Sequence, residues 1–210
     1  MLIRQMKNED LSAVAALFYE SFQESVLYYC GRPPTNQAMA DVFACVLAAE
    51  PQAALAAEVN GEVVGYAFTP VHLSAIWREA VLGGHVFLWI WRWMTGRYGF
   101  GWGPVVRLLA NKTDFFSSAL KREFQAEARI LTIAVSAAQR GQGVGKGLFS
   151  QAMARFVRLQ TKVVRLDVRP DNQAALALYR SFGFELVGRA PDPQGNWLIM
   201  LWHRERKNDD

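Results

Sequence analysis

The first part of the chain contains short apolar runs that predict strands. The runs Ala53–Val59 and Val63–Thr69 have the length and composition of two neighbouring strands. Between them stand Asn60 and Gly61, and an Asn-Gly pair favours the tight turn of an antiparallel hairpin because both residues tolerate positive φ. Upstream, Leu2–Gln5 predicts a first strand. This half of the chain is therefore expected to supply antiparallel strands.

Two amphipathic helices are predicted between the first strand and the hairpin. Asn8 is the expected N-cap of the first helix. Its apolar positions recur with helical period and are Leu11, Val14, Ala15, Phe18 and Phe22. The second helix covers Ala38–Ala49, and its apolar stripe consists of Met39, Val42, Phe43 and Val46. Each helix should bury one face against the sheet.

The last third of the chain alternates strands with helices. Strands are predicted at Ile130–Val135, Val163–Val168 and Trp197–Trp202. One helix should begin near Gly145 and another after Asp171. The first of these helices should bury Leu148, Phe149, Ala152, Met153, Phe156 and Val157. This alternation is typical of an α/β unit, and the upstream hairpin makes the whole sheet mixed.

An aromatic-rich segment, residues 70–126, separates the two parts. It holds five of the seven tryptophans, namely Trp77, Trp89, Trp91, Trp93 and Trp102. We expect one domain over residues 1–210 that carries this segment as a largely helical insertion. Two interpretations remain open: a satellite core over the sheet, or an apolar surface for an acceptor or a partner.

Composition and charge narrow the class of protein. The chain has 210 residues, 51% hydrophobic and 20% charged, which is ordinary for a globular protein. A net charge of +4 suits an anionic ligand but is too small to imply nucleic acid. The first ten residues show no signal peptide and no apolar run is long enough to span a membrane, so we expect a cytoplasmic protein without integral membrane association. Scattered histidines and two cysteines predict neither a metal site nor a disulfide.

The glycine-rich segment Arg140–Gly147 lies between a predicted strand and a predicted helix. Backbone N–H groups and the helix dipole together favour an anion at such a place, and a diphosphate is its natural occupant. The spacing fits neither a dinucleotide fingerprint, because Lys146 stands where a small residue is needed, nor a P-loop, because Gly147 replaces the Ser or Thr. The alternative is a turn that only tightens the packing of helix on strand.

Two motifs resemble those of one superfamily. Arg140, Gly143 and Gly145 match a signature of Gln or Arg, two residues, Gly, one residue, then Gly or Ala. The second motif consists of Asn172, Ala175, Leu178, Tyr179, Gly183 and Phe184. With both motifs in this order, the chain resembles the Gcn5-related N-acetyltransferase (GNAT) superfamily. The resemblance implies an α/β fold with a mixed, centrally splayed β-sheet flanked by helices, and acetyl-CoA as co-substrate without a metal.

The resemblance also implies roles for individual residues. The cofactor-binding positions are Ile133, Ala134, Val135, Arg140, Gly141, Gln142, Gly143, Val144, Gly145, Lys146, Asn172 and Tyr179. Tyr179 matches the proton donor of the family, and Glu127 corresponds to a carboxylate base in some members. Each has a structural alternative: Tyr179 as a packed aromatic, Glu127 as a solvated surface carboxylate, and Asn172 as a helix cap.

Three functions follow from these features. The first is direct transfer of an acetyl group to an amine of a small molecule or peptide. If the insertion lines the acceptor site, the acceptor should carry an apolar or aromatic group beside its amine. The second is a non-catalytic acyl-CoA-binding or regulatory module that uses the insertion for a partner. The third is an amphipathic protein of the membrane surface. Analogy with relatives allows a homodimer.

Overall fold

The computed structural model describes residues 1–99 and 126–204, apart from the side chain of Asp192. Residues 100–125 of the predicted insertion lie outside this description. The helices are α1 (Leu11–Cys30), α2 (Asn36–Ala49), α3 (Leu73–Leu82), α4 (His85–Met94), α5 (Val144–Arg158) and α6 (Gln173–Ser181). The strands are β1 (Leu2–Gln5), β2 (Ala54–Val59), β3 (Glu62–Phe68), β4 (Ala128–Ile130), β5 (Thr132–Val135), β6 (Val163–Val168), β7 (Glu185–Asp192) and β8 (Gly195–His203).

The strands form two four-stranded sheets, with the orders β1-β2-β3-β5 and β4-β6-β8-β7. The pairing of β4 with β6 is parallel, and the other pairings are antiparallel. The predicted hairpin is confirmed, because Asn60 and Gly61 join β2 to β3 with φ of 53° and 84°. The expected mixed sheet, splayed at its centre and flanked by helices, is confirmed as well.

The predicted strand Ile130–Val135 is split between the two sheets. Leu131 N donates to Phe68 O at 2.9 Å, although the register pairs Phe68 with Thr132. Two successive residues therefore lie opposite one, which is a β-bulge, and a bulge bends a strand and increases its twist. Pairing with β6 ends at Ile130, and β5 continues beside β3 alone. The result is a fork between β5 and the end of β6.

Two apolar clusters hold the helices on the sheets. The larger one places α5 and α6 over strands of both sheets, and its fully buried members include Leu148, Phe149 and Phe156. The smaller one packs α1 and α2 on the other face of the first sheet. In it, the ring of Phe43 stacks on that of Phe68 with a centroid separation of 5.1 Å. The larger cluster therefore connects α5 and α6 with strands on both sides of the fork.

Several predictions of detail are wrong. Asn8 does not cap α1, because Asn8–Asp10 forms a 3-10 turn and Asp10 is the N-cap. Val42 and Val157 are exposed rather than buried. Strand β7 was not predicted, because Gly188, Pro191 and Asp192 are unfavourable in strands.

Helices α3 and α4 lie in the described part of the predicted insertion. Asp41 of α2 anchors it: Arg92 Nη1 approaches the Asp41 carboxylate at 2.5 Å, and the Tyr98 hydroxyl donates to Asp41 Oδ2 at 2.7 Å. Burial alone would raise the pKa of Asp41, but the bonds from Tyr98, Arg92 and Gln37 lower it below its usual value. None of the described helices is long and apolar enough to cross a membrane.

Candidate active site

The open edge of β5 lines one side of the fork. Ser136 N donates to Val64 O at 2.9 Å. In the antiparallel register every second residue of β5 pairs in this way, so the backbone N–H and C=O groups of Ala134 and Thr132 also point toward β3. The backbone groups of Ile133 and Val135 therefore face away from β3, into the fork. A ligand with amide groups finds hydrogen-bonding partners here, in the way that a peptide adds to a sheet edge.

The glycine-rich segment follows β5 directly and begins α5. Gly141 and Gly143 have φ of 78° and 83°, a region that glycine enters without strain. A Cβ atom at either position would meet nothing within 4 Å, so the surface above them is open. Gly147 N donates to Gly143 O at 2.9 Å, while no acceptor among the described residues faces the amides of residues 141–146. These amides, at the positive end of the helix dipole, form a cradle for an anion.

Two cations border the cradle. Arg140 is exposed, and its Nε donates to Val135 O at 3.1 Å, which fixes the guanidinium beside the fork. Its terminal nitrogens have no partner within residues 1–99 and 126–204. Lys146 is exposed in the first turn of α5. Both side chains can reach an anion on the cradle from the solvent side.

Gly65 of β3 sets the position of the cradle. A Cβ atom at Gly65 would lie 3.1 Å from Ala134 O, 3.2 Å from Leu148 Cδ1 and 3.3 Å from Val144 Cγ1. The first turn of α5 therefore packs directly on the backbone of β3 and β5. This contact keeps the start of the helix at the end of the fork.

Tyr179 lies on α6 and is 7% exposed. Its ring packs on Phe149 of α5 at a centroid distance of 5.0 Å. Burial raises the pKa of Tyr179 to about 12, so the phenol keeps its proton at neutral pH. No hydrogen-bond partner of the hydroxyl is found among the described residues. Packing of the Tyr179 ring in the core therefore does not conflict with a role of its hydroxyl as proton donor.

Asn172 and Glu127 each have a structural partner. Asn172 Oδ1 accepts from Ala175 N at 3.1 Å and caps α6, which leaves its amide nitrogen for another contact. Glu127 precedes β4 and is exposed, and its Oε2 accepts from Lys162 N at 2.7 Å. The fork opens at Leu131, about 13 Å further along the strand at about 3.3 Å per residue. The role of Glu127 as a base stays a prediction.

The comparisons with known proteins agree with this geometry. Residues 12–184 match the acetyltransferase (GNAT) family. The chain belongs to the GNAT family. It is 46% identical over 71 residues to the N-alpha-acetyltransferase RimI of Mycobacterium tuberculosis, an alignment that covers 34% of this chain and 43% of the relative. The chain spans 17% and 43% of the curated relatives it matches.

Two solved structures show the same fold as this GNAT chain. Ard1 from Thermoplasma volcanium has a TM-score of 0.60 at 18% identity, covering 98% of each chain. A putative acetyltransferase from Salmonella typhimurium, solved with its cofactor acetyl-CoA, has a TM-score of 0.60 at 17% identity and covers 99% of this chain and 95% of that one. At these identities the likeness establishes the fold.

A charged cluster at the fork of this GNAT protein was missed by the sequence analysis. Asp167 follows Leu166, the last residue of β6 that pairs with β4. Its carboxylate bonds to Arg129 of β4 and accepts from Arg165 Nε at 2.9 Å. Burial lowers the pKa of Arg129, and the charge of Asp167 opposes that effect. The signal was present in β6, where Arg165 and Asp167 alternate with apolar residues. Among the described residues, no group of three or more His, Cys, Asp or Glu side chains is placed to hold a metal ion.

Proposed function

We propose that this GNAT protein is an acetyl-CoA-dependent N-acetyltransferase that moves an acetyl group directly to an amine of a small molecule or peptide. The observation that carries the proposal is the cradle of residues 141–146, whose amides have no acceptor among the described residues and lie at the end of an open strand edge. One site binds a diphosphate and the adjoining edge binds amides. Coenzyme A has both groups in one linear molecule.

The residues of the cradle fit this co-substrate. Gly141 and Gly143 carry no Cβ that would block phosphate oxygens, and the surface above them is open. Arg140 and Lys146 add positive charge at its border. The backbone groups of Ile133 and the N–H of Val135 are offered to the pantetheine amides, while Val135 O already accepts from Arg140 Nε. The amide nitrogen of Asn172, which has no partner among the described residues, is a further contact. Bound acetyl-CoA supplies an activated acetyl group, whose C–S bond breaks as the new C–N bond forms.

Tyr179 is the proposed general acid. A thiol with a pKa of about 8.5 leaves more readily when a donor protonates it. The raised pKa of Tyr179 keeps that donor protonated across the working pH range. Glu127, acting through water on the acceptor ammonium, is the proposed base. Tyr179 therefore acts late, on the leaving thiolate, and Glu127 early, on the attacking amine.

The acceptor class follows from the relatives only as a proposal. The Mycobacterium tuberculosis relative is named an N-alpha-acetyltransferase, which favours the α-amine of a peptide as acceptor. A cytoplasmic location and a homodimer remain predictions of the sequence analysis.

An acceptor screen tests the proposal. The purified chain is incubated with acetyl-CoA and separate peptides, polyamines and aminoglycosides, and free thiol is measured together with the mass of each acceptor. We expect thiol release that matches acetylated product for one acceptor class. Binding of CoA without release for any acceptor would refute catalysis and favour the non-catalytic module. Absence of CoA binding would refute both.

A further inference from the structure

The α3–α4 hairpin carries a set of exposed apolar side chains, which we call the aromatic face. It consists of Trp77, Val81, Leu82, Phe87, Ile90, Trp91 and Met94. Leu82, Phe87 and Met94 are 79%, 71% and 75% exposed. On α4, Ile90, Trp91 and Met94 lie three, four and seven residues after Phe87, so the four side chains share one side of the helix. Large contiguous apolar patches on a soluble protein mark interaction sites.

The hairpin is mounted so that this face cannot turn inward. The opposite side of α4 is held to α2 by the ion pair of Arg92 with Asp41, and Tyr98 donates to the same carboxylate. At the start of the insertion, Glu50 accepts from Val71 N at 3.0 Å and from His72 N at 3.2 Å. Turning α4 over would leave Asp41 buried without its partners, which is costly.

The charges around the aromatic face are positive. Arg78 and Arg97 are exposed, and the Arg97 guanidinium lies 5.0 Å from the centre of the Trp91 ring. The single acid in residues 71–99 is Glu79, whose carboxylate lies 3.6 Å from His85 Nε2. The rim therefore complements an anionic surface. A twofold contact with a second copy would instead set these arginines against each other.

The dimensions of the hairpin restrict how it meets a lipid bilayer. Each helix has 10 residues, and a helix rises about 1.5 Å per residue, or about 15 Å in total. The hydrocarbon core is about 30 Å thick, so neither helix crosses it. A helix with one apolar side and cations at its border lies in the interface, with aromatic rings at the level of the headgroups.

We propose that the aromatic face docks this protein on the surface of a membrane that contains anionic phospholipids. Phe87, Ile90 and Met94 enter the boundary between headgroups and acyl chains. Arg78 and Arg97 contact lipid phosphates. This inference goes beyond the proposed acetyl transfer and does not depend on it.

Flotation of the full chain with lipid vesicles tests the inference. Vesicles of phosphatidylcholine alone are compared with vesicles that also contain phosphatidylglycerol. The double variant Phe87→Ser/Met94→Ser should lower the partition coefficient at least about tenfold, because each side chain loses apolar burial. The control Leu159→Ser/Leu186→Ser removes two side chains that are 47% and 48% exposed elsewhere and should leave it unchanged. Melting temperatures show that both variants fold.

A charge variant separates the electrostatic contribution to membrane binding from the apolar one. Arg97→Glu should weaken binding to the anionic vesicles by about fivefold for each unit of charge changed and leave weak binding to neutral vesicles as it was. No flotation with anionic vesicles, or equal losses in the patch and control variants, would overturn the proposal. A wild-type dimer that Phe87→Ser/Met94→Ser dissociates in the absence of lipid would assign the face to a second copy. A protein that floats but releases no thiol would refute only the acetyltransferase.

Discussion

A carboxylate on the cradle should abolish coenzyme A binding. Gly143→Glu places one there, at a position where a Cβ atom meets nothing within 4 Å. Gly143 has φ of 83°, so the new side chain costs about 1–2 kcal/mol of backbone strain. At about 2–4 °C per kcal/mol, the melting temperature of the free protein should fall by about 2–8 °C.

The effect on binding is larger than this strain. Coenzyme A at 100 times its Kd stabilises the wild type by about 2.7 kcal/mol, or about 5–11 °C. A carboxylate about 4 Å from a phosphate charge costs about 4 kcal/mol at an effective dielectric constant of about 20. The repulsion exceeds the stabilisation, so coenzyme A should no longer raise the melting temperature of Gly143→Glu.

Gly61→Glu is a matched control for the measurement. Gly61 has φ of 84°, and a Cβ there also meets nothing within 4 Å, but it lies in the β2–β3 turn. Thermal denaturation with and without coenzyme A should show the same strain penalty in both variants and a normal coenzyme A shift in Gly61→Glu. If Gly143→Glu keeps the full shift, or if Gly61→Glu loses it too, the cradle is not the diphosphate site.

Three further variants test other parts of the structure. Tyr179→Phe should lower kcat by about 10²-fold or more with little change in coenzyme A affinity, and an unchanged kcat would exclude Tyr179 as acid. Burial raises the pKa of Tyr179 from 10.0 to about 12. The contribution of the protonated phenol to folding stability is therefore complete below pH 10 and is lost as the pH rises toward 12. Tyr179→Phe should accordingly reduce the fall in melting temperature at alkaline pH. Asp41→Asn should lower the free energy of unfolding by about 2–3 kcal/mol in urea titrations, because Arg92 loses its partner; a loss below 0.5 kcal/mol would contradict the anchoring role. Gly65→Ala should cost about 1–3 kcal/mol and weaken coenzyme A binding, since the new methyl pushes Ala134 O and α5 apart; an unchanged melting temperature would show that the contact is loose.

Features set by local chemistry were predictable from the sequence. Asn60 and Gly61 identify the hairpin because positive φ selects for those residues. The glycines before α5 identify the cradle because close backbone approach requires them. In both cases, a few adjacent residues determine the conformation.

Features that depend on distant partners were not predictable. Asp41 looks like a solvent-facing residue of α2, yet Arg92 and Tyr98, about fifty residues later, make its burial favourable. Val42 is exposed as a consequence, because the helix turns Asp41 inward. The bulge at Leu131 depends on pairing with Phe68 and leaves no mark in the local sequence. The alternation in β6 marks Arg165 and Asp167 as unusual, but the pairing of Asp167 with Arg129 depends on another strand and is not visible in the local sequence.

The fork also bears on aggregation. An open strand edge ordinarily invites pairing with a strand from another molecule. Here the free edge of β5 is only four residues long, Thr132–Val135, and the bulge at Leu131 increases its twist. A short and strongly twisted edge is a poor template for a foreign strand, which limits this route to aggregation.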